Sequence, residues 1–213
     1  MHRMNMFRFC QHLRLGLTSR HRHGLGVHSP FAYRLITDVL EEGYPYYCYE
    51  EVEEIRSTLS PRVRRQCLPW KQGRMLFRMS LFLQPENILE VGRGDGVTAQ
   101  YLQHGCLKAS FIYMDQVSET AITAALQDYP CRLAVLYPSL TAEELLRSAA
   151  VVAEELERQG AMVVLGIHDS PEKYRVWQQL AALPGVHLDI EAFDCGWLFF
   201  REELPRQSYC LRW

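Results

Sequence analysis

The sequence predicts an α/β fold built on a mostly parallel sheet that closes in an antiparallel hairpin. Three observations predict it. From residue 88 onward, short apolar runs of strand length alternate with longer segments of helical periodicity. The first of those runs opens into a glycine-rich turn and then a helix, an arrangement that puts a ligand at the carboxyl edge of a parallel sheet. The last two runs are joined by too few residues for a crossover, so they pair as a hairpin.

Each element follows from its own pattern. ILEVG at 88–92, FIYMD at 111–115, CRLAVLY at 131–137 and AMVVLGI at 161–167 are apolar without alternation, as strands covered on both faces are. GVTAQYLQH, SETAITAALQ at 118–127 and TAEELLRSAAVVAEELERQ at 141–159 read as the helices between them. PEKYRVWQQLAAL begins with Pro171 after Ser170, a helix cap followed by proline in the first turn. VHLDIEAF and WLFFRE are the closing strands, with Asp194-Cys195-Gly196 as their turn. Upstream, KQGRMLFRMSLFL at 71–83 is an apolar helix ending before Gln84-Pro85. Ser29 and Pro30 start a helix whose face is Phe31, Leu35, Ile36 and Val39, and Gly43 can stop it. The aromatic stretch YPYYCY at 44–49 is assigned to packing, EEVEEIRSTL to a charged helix, and the basic segment from Pro61 to Pro69 to a connector. The chain thus divides into a basic arm and helical extension, 1–70, and an α/β domain, 71–213.

Composition bounds the function classes. With 213 residues, 48% hydrophobic and 23% charged, the chain can bury a core without staples. A net charge of −2 excludes polyanion binding by bulk charge. The seven cysteines (10, 48, 67, 106, 131, 195 and 210) form no C-x-x-C pair and are odd in number. That argues against both a zinc site of clustered cysteines and a secreted disulfide framework, and for reduced thiols in a cytoplasmic protein. No apolar run is long enough to span a membrane, and the N-terminus lacks the apolar stretch of a secretory signal. The one charge asymmetry lies in residues 1–28, with Arg3, Arg8, Arg14, Arg20 and Arg22, five histidines, and no acid before Asp38. A solvated arm is the simpler reading. A surface for an anionic partner, such as nucleic acid or a phosphorylated substrate, is the functional one.

The chemistry is concentrated in Glu90-Val91-Gly92-Arg93-Gly94-Asp95-Gly96. Glycines at a strand end let the backbone turn sharply and approach a ligand, close to a helix N-terminus. Asp115, at the end of the next strand, lies 19 positions beyond Gly96, a spacing that suits a carboxylate accepting from ribose hydroxyls. The pattern E-x-G-x-G-x-G resembles the first motif of class I S-adenosylmethionine (SAM) dependent methyltransferases more than the G-x-G-x-x-G of dinucleotide sites. That resemblance implies a Rossmann-like methyltransferase fold. It assigns the methionine half of the cofactor to Glu90, Gly92, Gly94, Asp95 and Gly96, and the ribose to Asp115. GVHSPFAYRLITDVLEE, YYCYEEVEEIR, residues 73–102, IHDSPEKYRVW and FDCGWLFFREELPRQSYCLRW resemble a bacterial group of methyltransferases with an H-S-P-F helix start and an I-H-W-S segment after a late strand.

Three departures from that pattern matter. Only 16 positions separate Asp115 from Cys131, enough for one helix, so the family's third strand is expected to be missing. The acid usual after the fourth strand is replaced by Tyr137-Pro138-Ser139-Leu140. The fifth strand runs into Gly166-Ile167-His168-Asp169, and one carboxylate makes a poor magnesium site, so no metal is expected. The glycine-rich acidic segment expected before 71–83 is short and basic here. His168 is the candidate general base, with Asp169 orienting it or approaching the acceptor. Alternatively Asp169 or Ser170 simply caps the next helix, and His28 hydrogen-bonds the helix start beside it. The leading expectation is a SAM-dependent methyltransferase acting on a small molecule or RNA. The alternative is a non-catalytic binding or scaffolding protein that keeps the fold, and a nucleotide-binding oxidoreductase is disfavoured by the glycine spacing. A sheet edge left open by the missing strand invites homo-oligomer pairing, or cover by the N-terminal helices.

Overall fold

A computed structural model describes residues 6–18, 24–156, 159–192 and 194–211. Arg3, Arg20, Arg22, His2, His21 and His23 lie outside the described residues. Before the sheet, the described residues form α1 Met6–Thr18, α2 Pro30–Arg34 (continued by a π-helical turn, Leu35–Leu40), α3 Tyr47–Thr58, α4 Pro61–Arg64 and α5 Trp70–Leu83. The sheet then builds as β1 Asn87–Val91, α6 Val97–Gly105, β2 Ser110–Met114, α7 Glu119–Asp128, β3 Leu133–Leu136, α8 Ala142–Glu155, β4 Ala161–Leu165, α9 Pro171–Ala181, β5 Leu188–Ala192, β6 Cys195–Phe199 and β7 Gln207–Leu211.

The strand order is β2-β1-β3-β4-β6-β5-β7. β2, β1, β3 and β4 run parallel, with Val91 beside Met114 on one side and Leu136 on the other. β6 inserts antiparallel between β4 and β5. The chain moves outward from β1 to β2 and returns to β3 on the other side of β1, so the topological switch lies between β1 and β3.

Strand alternation divides the core into two layers. Ile88, Val135, Val163 and Ile190 face α5 and the α2 segment through Met75, Met79, Leu35 and Ile36. Leu89, Ala134, Val164 and Leu198 face α7, α8 and α9. Residues 32–40 therefore share the core of the sheet although they precede it by some fifty positions. Arg78, 5% exposed, fastens them: its Nε donates to Val39 O at 2.6 Å and its Nη1 to Tyr49 Oη at 3.1 Å. A cation on the last carbonyls of a helical segment satisfies acceptors that have no partner within it.

Between Asp115 and Cys131 the chain forms α7 and no strand, so β2 ends the sheet among the described residues. Three differences from the sequence reading have local causes. The hairpin turn is shorter than expected, because β6 starts at Cys195 and includes Gly196. A Cβ at Gly196 would stand 2.3 Å from the Trp177 ring, so this glycine answers a close approach inside a strand. The hairpin does not close the sheet. β7 adds parallel to β5, burying Tyr209 and Leu211, with Ser208 donating to Asp189 at 2.7 Å. The basic arm is not merely solvated: α1 is a helix that lies against β7, with Leu15 buried.

Candidate functional site

The glycine loop follows β1. The Gly92 N–H donates to Met114 O at 2.8 Å, which carries the chain across toward β2. Gly92 has φ +98, and a Cβ there would meet Tyr137, Ser139 and Leu140 at 3.0–3.1 Å, so both conformation and space call for glycine. Gly96 (φ +73) is the residue before α6 and has open space around it. Asp95 ties two segments together. One carboxylate oxygen accepts from Thr98 N in the first turn of α6, the other from Leu68 N in the connector, both at 2.8 Å. The Ser139 hydroxyl accepts from Arg93 N at 2.8 Å, which joins this loop to the one after β3.

Glu90 points beneath that loop and is 3% exposed. Tyr137, in the first position after β3, donates its hydroxyl hydrogen to Glu90. Burial pushes the Glu90 carboxyl up to about 7, against a smaller lowering by the tyrosine hydrogen bond. Burial and the Glu90 carboxyl push the Tyr137 phenol well above its ordinary value. The Tyr137 ring also lies alongside Gly94, 3.2 Å from where a Cβ would be.

Above the loop is a cavity of about 440 Å³, in the range of ligand sites. Its floor holds Gly94, Asp95 and the Tyr137–Ser139 turn; its walls hold Asp169 and Asp194, with Arg8 and the connector residues Cys67 and Leu68 closing over it. It sits outside the carboxyl ends of β1 and β3, at the switch point. Asp115 is exposed at the end of β2, one residue past the Met114 that accepts from Gly92, and lies on the flank of the loop outside this lining. A second cavity, lined by Arg56, Arg64 and Arg65, shares Arg8, Cys67 and Pro69 with the first.

His168 and Asp169 are neighbours with different surroundings. Asp169 is one-third exposed and faces the cavity, 3.7 Å from Arg8 and 3.8 Å from Lys173. The cap of α9 is Ser170, whose hydroxyl accepts from Lys173 N at 3.3 Å. His168 is completely buried. Its Nε2 is 3.0 Å from Glu191 Oε1, and its Nδ1 stands 3.7 Å from Asp194 Oδ1, too far for a hydrogen bond. Burial pushes the His168 imidazole down, but the carboxylates of Asp194 and Glu191 outweigh it and its pKa is raised. The Asp194 carboxyl is lowered to about 2, because His168 and Arg8 outweigh its own burial. α1 seals the group from outside. Arg8 pairs with Asp194, Arg14 pairs with Glu191, and His12 Nε2 lies 3.4 Å from Asp194 Oδ1. His28 is exposed, and Ser29 caps α2 by accepting from Ala32 N.

Sequence reasoning missed Tyr137, Glu191 and Asp194 as site residues, and read Arg8, His12 and Arg14 only as arm charges. A signal existed for α1: Arg8 and His12 are four apart, on one helix face with Leu15. None existed for what that face would meet.

No family model matches the chain, and no curated protein matches its sequence. Solved structures do match it in fold. The SAH-bound methyltransferase PaMTH1 of Podospora anserina superposes with a TM-score of 0.59 at 12% identity, covering 82% of this chain and 97% of that one. An O-methyltransferase from Bacillus cereus in complex with SAH gives 0.51 at 12% identity, covering 78% and 96%. The O-methyltransferase TomG of Streptomyces achromogenes, in complex with SAM, gives 0.51 at 11%, covering 74% and 91%. At such identities the likeness is one of architecture: a Rossmann-like methyltransferase fold with an antiparallel end to its sheet.

Proposed function

We propose that this chain is a SAM-dependent methyltransferase. The observation that carries the reading is the cavity at the switch point, floored by Gly94 and Asp95 of a glycine loop. The neighbouring folds were crystallised with SAM or SAH, and the residues here suit that cofactor. A Cβ at Gly94 would crowd the Tyr137 ring at 3.2 Å, so glycine suits this part of the floor, and the exposed Asp115 carboxylate flanks the loop where ribose hydroxyls can reach it. Bound SAM would supply an activated methyl group on a sulfonium. The chain's part is then to orient an acceptor and exclude water. Asp169 faces the cavity and can take a proton from an acceptor hydroxyl or amine. His168 lies behind that wall and acts there through the carboxylates it holds in place. Acceptors entering past Arg56, Arg64 and Arg65 meet positive charge, which favours a phosphorylated small molecule or RNA.

One observation favours the non-catalytic alternative. The Tyr137 ring lies over Gly94 and its hydroxyl occupies Glu90, the acid that opens the motif. Calorimetry with SAM and SAH separates the readings. Micromolar binding, weakened roughly 10–100-fold in Asp115→Ala by loss of a charged hydrogen-bond acceptor and abolished in Gly94→Arg, supports the enzyme. No heat at millimolar ligand overturns it in favour of a scaffold.

A further inference from the structure

We propose that His12, His168 and Asp194 form a binding site for a zinc-like divalent cation, assembled when α1 docks on the sheet. The three residues come from three separate elements: α1, the loop after β4, and the turn between β5 and β6. Their ligand atoms all lie within 4.8 Å of one another. The two edges to Asp194 Oδ1 are 3.4 Å from His12 Nε2 and 3.7 Å from His168 Nδ1. Tetrahedral zinc with bonds of about 2.0–2.1 Å needs ligand edges of about 3.4 Å. Two edges are near that length, and a small turn of the His12 ring, which is 30% exposed, brings in the third.

A second observation points to a ligand independently of that clustering. His168 is completely buried, yet its Nδ1 has no hydrogen-bond partner. An imidazole nitrogen so placed is costly unless something binds it. The other nitrogen is held as ligating histidines are held: Nε2 sits 3.0 Å from Glu191 Oε1, which fixes the ring and turns Nδ1 toward Asp194, where a bound cation would replace the proton that the two carboxylates favour. Glu191 is itself fixed by the Tyr174 hydroxyl at 3.3 Å and by Arg14. Arg8 takes Asp194 Oδ2 and leaves Oδ1 facing the two histidines.

The donor set selects the metal. Two imidazoles and one carboxylate suit zinc, nickel or copper and are poor for magnesium. The absence of metal expected from the sequence concerned carboxylates after the fourth and fifth strands, where Tyr137 and Gly166 stand; this ligand set is a different one. The arginines on Glu191 and Asp194 already neutralise part of the negative charge, so the affinity is expected to lie below that of a structural zinc site. Three protein ligands leave a fourth position open, as in catalytic zinc sites, and Asp194 lies in the cavity wall.

The test uses the full chain after chelator treatment and dialysis, titrated with cobalt(II) and followed by its visible d–d absorption. One equivalent with the intense bands of tetrahedral cobalt is expected, displaced by zinc and not by magnesium. His12→Ala, on the half-exposed side of α1, should weaken binding at least tenfold, while His104→Ala, outside the cluster, should leave it intact. Absent or octahedral bands overturn the proposal. So does an unchanged titration in His12→Ala, which would assign the metal to histidines elsewhere in the N-terminal segment. Neither readout depends on SAM.

Discussion

The two ends of the cavity are built by opposite means. The glycine-loop end starts from a contiguous stretch: Glu90 to Thr98 are nine consecutive residues, and Asp95 accepts from Thr98 N three positions on, with longer-range bonds to Leu68, Ser139 and Tyr137 added to it. The His168 end is assembled across the chain: Arg8 and Asp194 are 186 positions apart, Arg14 and Glu191 177, and His168 and Glu191 23. The first end takes its shape from glycine backbone geometry and a neighbouring cap, and Leu68, Tyr137 and Ser139 then pack onto it. The second depends on α1 docking against the far end of the sheet, because its buried carboxylates take their cations from residues more than 170 positions away.

The contrast predicts graded effects. The largest should follow Asp194→Ala. It leaves Arg8 and a buried His168 facing a missing acid, and breaking such a buried pair costs about 3–5 kcal/mol. Urea unfolding of chelator-treated protein measures it, and a loss below about 1 kcal/mol would place these charges with ordinary surface pairs. Glu90 comes next, through pH. Its folded pKa of about 7 lies above its ordinary 4.5. Between those values the folded chain holds a proton that the unfolded chain has released, so stability falls as pH rises from about 4.5 to 7 and is level above that. The change is on the order of 2–3 kcal/mol. Glu90→Gln keeps an acceptor for Tyr137 and should flatten the profile, so that thermal melts at pH 5 and pH 8 converge. Parallel profiles in the two proteins would remove Glu90 as the source. The smallest effect is expected for Asp95→Ala, which loses the acceptor for Thr98 N and Leu68 N. A loss of about 1–2 kcal/mol is expected, the scale of a helix cap, with faster amide exchange confined to Leu68 and Thr98. If it exceeds the Asp194 effect, the contrast between local and assembled ends is wrong.

The same contrast governs how much could be read in advance. The parallel strands, their helices, the shortened stretch after Asp115 and the glycine loop all lie in contiguous patterns, since apolar runs and turn residues act over a few positions. The capping choice between Asp169 and Ser170 was visible as two options and needed geometry to decide. β7 was missed because QSYCL is five residues long, with only Tyr209 and Leu211 marking a buried face. Tyr137 looked like a replaced acid; that it would reach back to Glu90 depends on β1 and β3 being neighbours. Gly196 looked like a turn residue because glycine signals a turn and a close packing contact alike. The pairing of α1 with the hairpin turn has no local signature at all, since neither partner carries a trace of the other.

That long separation also sets an order of events during synthesis. α1 leaves the ribosome well before its partners, because Glu191 and Asp194 follow more than 170 positions later. At ordinary elongation rates of 5–20 residues per second, the helix waits roughly ten to forty seconds for its partners. Through that interval its cationic face is open to any nearby anion, and the His168 wall of the cavity cannot close until Asp194 has been made.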